Sequence, residues 1–133
     1  MAKFSFDYDS TLSRTAIKKM AKKLIAEGHE LHVVTSRFED TLRYADQKMS
    51  MSFNRDLFRV TDHLGIKREN IHFMNMVAKY TFFLENPGFL IHLDDDPMEI
   101  LDINANTPVI GIVCDYQGKW LADFSSVLEE NGL

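Results

Sequence analysis

The sequence predicts an α/β fold, a parallel sheet covered by helices on both faces. Three observations predict it. Short apolar runs alternate with stretches of helical periodicity from one end of the chain to the other. Polar and acidic residues stand where each apolar run stops, which is where an open parallel sheet places its ligands. The 133 residues contain no internal repeat, low-complexity segment or linker, so residues 1–133 read as one domain with a core of its own.

Lys3 to Asp7 reads as the first strand, with Phe4 and Phe6 on one face and a second acid, Asp9, two positions on. Ser13 is placed to cap a helix over Arg14 to Glu27. Its buried stripe is Ile17, Met20, Ala21, Leu24 and Ile25, and Gly28 stops it. Lys18, Lys19, Lys22 and Lys23 fall mostly off that stripe, on a solvated face. Leu31 to Thr35 forms the second strand, followed by Ser36 and Arg37. Helical stretches follow over Glu39 to Met49 and from the cap Asn54 to Leu64, ended by Gly65. Asn70 to Met74 is the third strand, and Val77 to Asn86 is helical and carries Lys79.

Phe89 to Leu93, the most apolar strand, is expected inside the sheet and runs into Asp94, Asp95 and Asp96. Pro97 opens a helix over Met98 to Asn104, with Asp96 and Glu99 spaced as a capping box. Pro108 to Val113 is the fifth strand, and a short helix near Ser125 to Glu130 closes the chain. The five histidines show no ligand spacing; His32 and His92 read as packed or edge residues. The single cysteine, Cys114, reads as a small buried hydrophobe and excludes an internal disulfide and a cysteine zinc cluster.

The composition is 45% hydrophobic and 26% charged, that of a water-soluble globular chain. No apolar run is long enough to span a membrane, and no signal-peptide core is present, so a cytoplasmic protein with no membrane partner is expected. The net charge of −5 argues against broad, non-specific nucleic-acid binding while leaving room for a locally basic site.

The strand-end residues fit one chemistry. A carboxylate attacking a phosphoryl group needs a metal to offset charge repulsion, an acid for the leaving oxygen, donors for the phosphoryl oxygens and a cation beside the nucleophile. Asp7 supplies the nucleophile, Asp9 the acid and base, Thr35 a hydroxyl, Lys79 the ammonium, and Asp94 and Asp95 further oxygen ligands. Hard carboxylate donors favour Mg2+ over zinc.

The segment Phe-Asp7-Tyr-Asp9-Ser-Thr-Leu12 resembles the first motif of the haloacid dehalogenase superfamily, an apolar strand followed by Asp-x-Asp-Gly-Thr-Leu. Val-Val-Thr35-Ser36-Arg37 resembles the second motif, Lys79 stands where the third-motif lysine would fall, and Leu-Asp94-Asp95 resembles the fourth. The resemblance implies a Rossmann-like three-layer sandwich with strand order 5-4-1-2-3. It also implies a phosphatase working through an aspartyl-phosphate on Asp7, with Asp7, Asp9, Asp94 and Asp95 about the metal. Within the superfamily the motifs look most like the 3′-phosphatase domain of phage-type polynucleotide kinases, which brings Arg37 and Ser36 toward the substrate.

Two departures qualify the match. Ser10 replaces the usual glycine, so strain is expected there. No segment is long enough for a cap domain or the usual flap, so the site is expected to be open and to admit a phosphorylated nucleic-acid end as well as a nucleotide. A small-molecule nucleotidase would need a lid from a second subunit, hence a homo-oligomer. The contrasting reading is a binding or structural protein with the same fold and little or no turnover.

Overall fold

The computed structural model describes residues 1–40 and 53–133. Most of the helix expected over Glu39 to Met49 lies outside these residues. The strands are β1 (Lys3–Phe6), β2 (Glu30–Thr35), β3 (Ile71–Phe73), β4 (Ile91–Asp94) and β5 (Ile110–Val113). Among the described residues the α-helices are α1 (Thr15–Ala26), α2 (Arg55–Leu64), α3 (Tyr80–Glu85), α4 (Pro97–Asn106) and α5 (Lys119–Glu130).

All strand pairs are parallel, in the order β3-β2-β1-β4-β5, which is the expected order read from the opposite edge. The chain is therefore an α/β protein with a Rossmann-like parallel sheet. Strand alternation sorts the core into two layers. Phe4, Phe6, Val33, Ile91 and Leu93 face α1, α2 and α5 through Ile17, Leu24, Leu57, Trp120 and Phe124. On the other face Val34 meets Phe82, Phe83, Phe89, Ile103 and Val109, from α3, α4 and their flanks. The sequence order places β1 centrally, with β4 beside it, so both strands are paired on both edges. No helix among the described residues is long and apolar enough to cross a membrane.

Several local expectations are corrected, most of them by a partner distant in sequence. Arg14, not Ser13, precedes α1; its guanidinium donates to the carbonyls of Cys114 at 2.9 Å and Asp115 at 2.8 Å, tying the start of α1 to the end of β5. Asn54 does stand at the start of α2 but does not cap it; its side chain donates to the Phe38 carbonyl at 3.0 Å and to Asp40 at 2.9 Å. Helix α5 begins six residues before the expected Ser125, because Asp115 accepts from the backbone N–H groups of Lys119 at 3.0 Å and Trp120 at 2.8 Å. Trp120 is buried and Leu121 is exposed. Asp96 caps α4 as expected, accepting from Met98 N–H at 2.9 Å, but Glu99 does not close a capping box. Its carboxylate instead accepts from the Lys79 N–H at 3.0 Å, where α3 begins; α3 itself is shorter than the expected Val77 to Asn86.

Candidate active site

At the carboxyl ends of β1 and β4 an open cleft of about 410 Å³ is lined by Asp7, Asp9, Ser36, Lys79, Asp94, Asp95, Asp96 and Pro97. Residues from four separate parts of the chain meet here because parallel strands all end on one side of the sheet.

Lys79 sits at its centre. Its ammonium donates to Asp7 Oδ1 at 2.9 Å and to Asp94 Oδ2 at 2.6 Å, and all three side chains are buried. Burial alone would disfavour the ammonium, but the charges of Asp7 and Asp94 outweigh it and raise the Lys79 pKa. Burial, followed by repulsion from Asp94, pushes the Asp7 carboxyl well above the usual carboxylate range despite the nearby lysine. Burial opposes the Asp94 charge too, but the hydrogen bond and charge of His92, with those of Lys79, hold that carboxyl well below its ordinary value.

Asp95 completes the cluster. Oxygens of Asp7, Asp94 and Asp95 lie within 4.8 Å of one another. Burial and the Asp94 charge disfavour an ionised Asp7, so all three acids could be ionised together only with a further cation beside Lys79. A hard divalent cation is the group such a donor set fits.

Asp9 is placed differently from the expectation that it joins the metal group. It lines the cleft, but its side chain is 58% exposed and its carboxylate is paired with Arg37. Arg37 also binds Asp56, in the first turn of α2, at 2.8 and 2.9 Å, and its guanidinium lies 4.9 Å from the Tyr8 ring centroid. The Arg37 hydrogen bond draws Asp56 below the usual carboxylate range.

Thr35 is fully buried and its hydroxyl accepts from the Arg37 N–H at 3.2 Å, shaping the turn after β2; Ser36 is the hydroxyl that faces the cleft. The turn is pinned from below, where Met76 N–H bonds the Ser36 carbonyl at 2.9 Å and Asn75 N–H the Arg37 carbonyl at 3.2 Å. Ser10 has φ 56° and ψ 16°, in the left-handed region that favours glycine, so the strain expected there is present.

Sequence reasoning did not single out His92, Glu99 or Asp56 for the site. His92 offered a signal: it stands two residues before Asp94, on the same face of β4. Glu99 offered one as an acid near the metal but reads as a helix cap instead, and Asp56 offered none, because each serves a residue about 20 positions away.

A larger groove of about 550 Å³ runs between α1 and α2, lined by Thr15, Lys18, Lys19, Lys22, Arg59, Val60, His63 and Leu64. It contains cationic groups and no carboxylate, and it lacks any constellation suited to catalysis. Comparison with family models, with curated proteins and with solved structures finds no match to this chain.

Proposed function

We propose that the protein is a capless phosphatase of the haloacid dehalogenase type that hydrolyses phosphomonoesters with the help of Mg2+. The observation that carries this reading is the buried Lys79 ammonium bridging Asp7 and Asp94 at two adjacent strand ends, with Asp95 beside them. A lysine shared by two carboxylates orients one of them as a nucleophile. The third ammonium proton is left for a phosphoryl oxygen.

In this reading Asp7, Asp95 and Asp94 would hold the cation, which offsets charge on the phosphoryl group. An Asp7 oxygen attacks phosphorus, the Asp7 O–P bond forms and the ester P–O bond breaks. Asp9 gives its proton to the leaving oxygen. It then takes a proton from the water that hydrolyses the aspartyl-phosphate, returning Asp7 and releasing inorganic phosphate. Ser36 and Lys79 donate to the phosphoryl oxygens, and Thr35 holds the turn that presents Ser36. Arg37 binds substrate phosphate or, without substrate, Asp9.

The openness of the cleft supports a substrate larger than a metabolite, and the cationic groove between α1 and α2 supports a phosphorylated nucleic-acid end over a free nucleotide. The contrasting reading, a binding protein without useful turnover, is favoured by the capture of Asp9 by Arg37. Hydrolysis of an aryl phosphate with and without Mg2+, beside Asp7→Asn, separates the two. Metal-dependent turnover lost in the variant supports the phosphatase. If neither the aryl phosphate nor a panel of 3′- and 5′-phosphorylated oligonucleotides is turned over above the variant's level, the binding reading takes its place.

A further inference from the structure

The face of the sheet that packs on Phe82, Phe83 and Phe89 carries a polar stripe across β1 and β4. Ser5 on β1 lies opposite His92 on β4 in register. Asp7 follows Ser5 by two residues and Asp94 follows His92 by two, so strand alternation sends all four side chains to the same face. Ser5, His92 and Asp94 have no solvent exposure at all.

These groups form a continuous chain of hydrogen bonds. Ser5 Oγ lies 2.6 Å from His92 Nδ1, and His92 Nε2 lies 2.8 Å from Asp94 Oδ2. That same oxygen accepts from Lys79 Nζ at 2.6 Å, and Lys79 reaches Asp7 Oδ1 at 2.9 Å. The other Asp94 oxygen accepts from the Asp96 N–H at 3.1 Å. An ionised carboxylate only accepts, so the hydrogen between His92 and Asp94 sits on Nε2. The serine hydroxyl closes the far side of the ring. Phe83 packs against the imidazole, with ring centroids 5.2 Å apart, and leaves it little freedom to turn.

We propose that His92 is a positioning residue: its Nε2–H fixes Asp94, and Asp94 in turn fixes the Lys79 ammonium against Asp7. The proposal deepens the phosphatase reading and rests on it only for its kinetic consequence. A fully buried imidazole packed on Phe83 is costly unless both nitrogens are bonded. Here both are, and the bonds lead to the central lysine. Without that bond the Asp96 N–H still holds Oδ1, but Oδ2 is left with Lys79 alone and can shift, carrying the ammonium away from Asp7.

Three measurements on the full chain test it. A long-range 15N–1H spectrum of the wild-type protein is expected to show a hydrogen on His92 Nε2; a ring protonated on Nδ1 alone overturns the proposal. Acetylation of Lys79 by acetic anhydride, followed by peptide mass spectrometry, reads the placement of the ammonium directly. His92→Leu keeps the volume and loses the donor, so Lys79 is expected to react about tenfold faster. In His92→Gln the side-chain amide replaces the Nε2 donor, and the wild-type rate is expected; equal rates in all three proteins overturn the proposal. With turnover, His92→Leu is expected to lower kcat about tenfold with little change in KM, and His92→Gln to restore it. The spectrum and the acetylation need no phosphatase activity. If both succeed and the wild type turns nothing over, the phosphatase reading fails while the role of His92 in holding Lys79 stands.

Discussion

The Arg37 guanidinium grips the Asp9 carboxylate through two parallel hydrogen bonds, Nε to Oδ2 at 2.9 Å and Nη2 to Oδ1 at 2.7 Å. Asp56 takes the opposite edge of the same guanidinium through Nη1 and Nη2. The planar fork is thus matched twice, a geometry no ammonium can reproduce. In the phosphatase reading an anionic substrate competes for this fork, and Asp9 is released toward the leaving oxygen as the substrate binds. Arg37→Lys is therefore expected to lose nearly as much kcat/KM as Arg37→Ala, about tenfold or more in steady-state assays. A lysine variant with wild-type kcat/KM would show that charge alone is enough.

Asp95 and Asp96 are neighbours with separable duties. Asp95 belongs to the carboxylate cluster, whereas Asp96 spends its side chain on the Met98 N–H at the start of α4. In the phosphatase reading, Asp95→Asn is expected to weaken Mg2+ binding about tenfold or more, measured by titration calorimetry, with little change in thermal stability. Asp96→Ala is expected to do the reverse, costing about 1 kcal/mol in a denaturant titration and leaving Mg2+ affinity in place. Equal effects on metal binding would mean that the two carboxylates share the cation.

Much of the fold was legible because its signals are local. Apolar runs mark the strands, and Gly28 and Gly65 take the positive φ values, 87° and 80°, that end helices. The acidic ends of β1 and β4 were legible for the same reason: strand direction alone brings Asp7 and Asp94 to one edge. What escaped depends on partners that only the folded chain supplies. Glu99 accepts from the start of α3, and Asp56 turns Arg37 toward Asp9. The capture of Asp9 is the instructive case. Its spacing from Asp7 suggested a shared metal, but a guanidinium 28 residues further along the chain engages it first.

Away from the cleft, His32 and His72 stack with ring centroids 5.1 Å apart and a 2.9 Å Nδ1–Nε2 contact. Burial, reinforced by His32, lowers the His72 pKa from 6.5 to about 4. Between these values the unfolded chain binds a proton that the native imidazole refuses. The resulting stability is complete above pH 6.5 and is lost as the pH falls from 6.5 to about 4. The urea midpoint is expected to drop across that window. His72→Phe, which can keep a ring against Phe82, should flatten the acid limb even if it lowers the plateau. Parallel limbs in the two proteins would assign the acid sensitivity to other groups.

Ser10 and Met76 hold the backbone in the left-handed region, at φ 56° and 66°, where a side chain crowds its own carbonyl. The two turns serve the site from opposite sides: Ser10 follows Asp9, and Met76 N–H pins the Ser36 carbonyl. Met76 is bulky and largely exposed, so no packing of its side chain offsets the strain. Glycine removes the crowding but gains freedom in the unfolded chain, so the net gain at each position is about 0.5–1 kcal/mol. Ser10→Gly and Met76→Gly are each expected to raise Tm by about 2–4 °C, and because the turns are far apart in sequence and share no hydrogen bond, the double variant should show the sum. A fall in Tm for Ser10→Gly would mean that its hydroxyl, rather than its backbone, is what the turn after Asp9 requires.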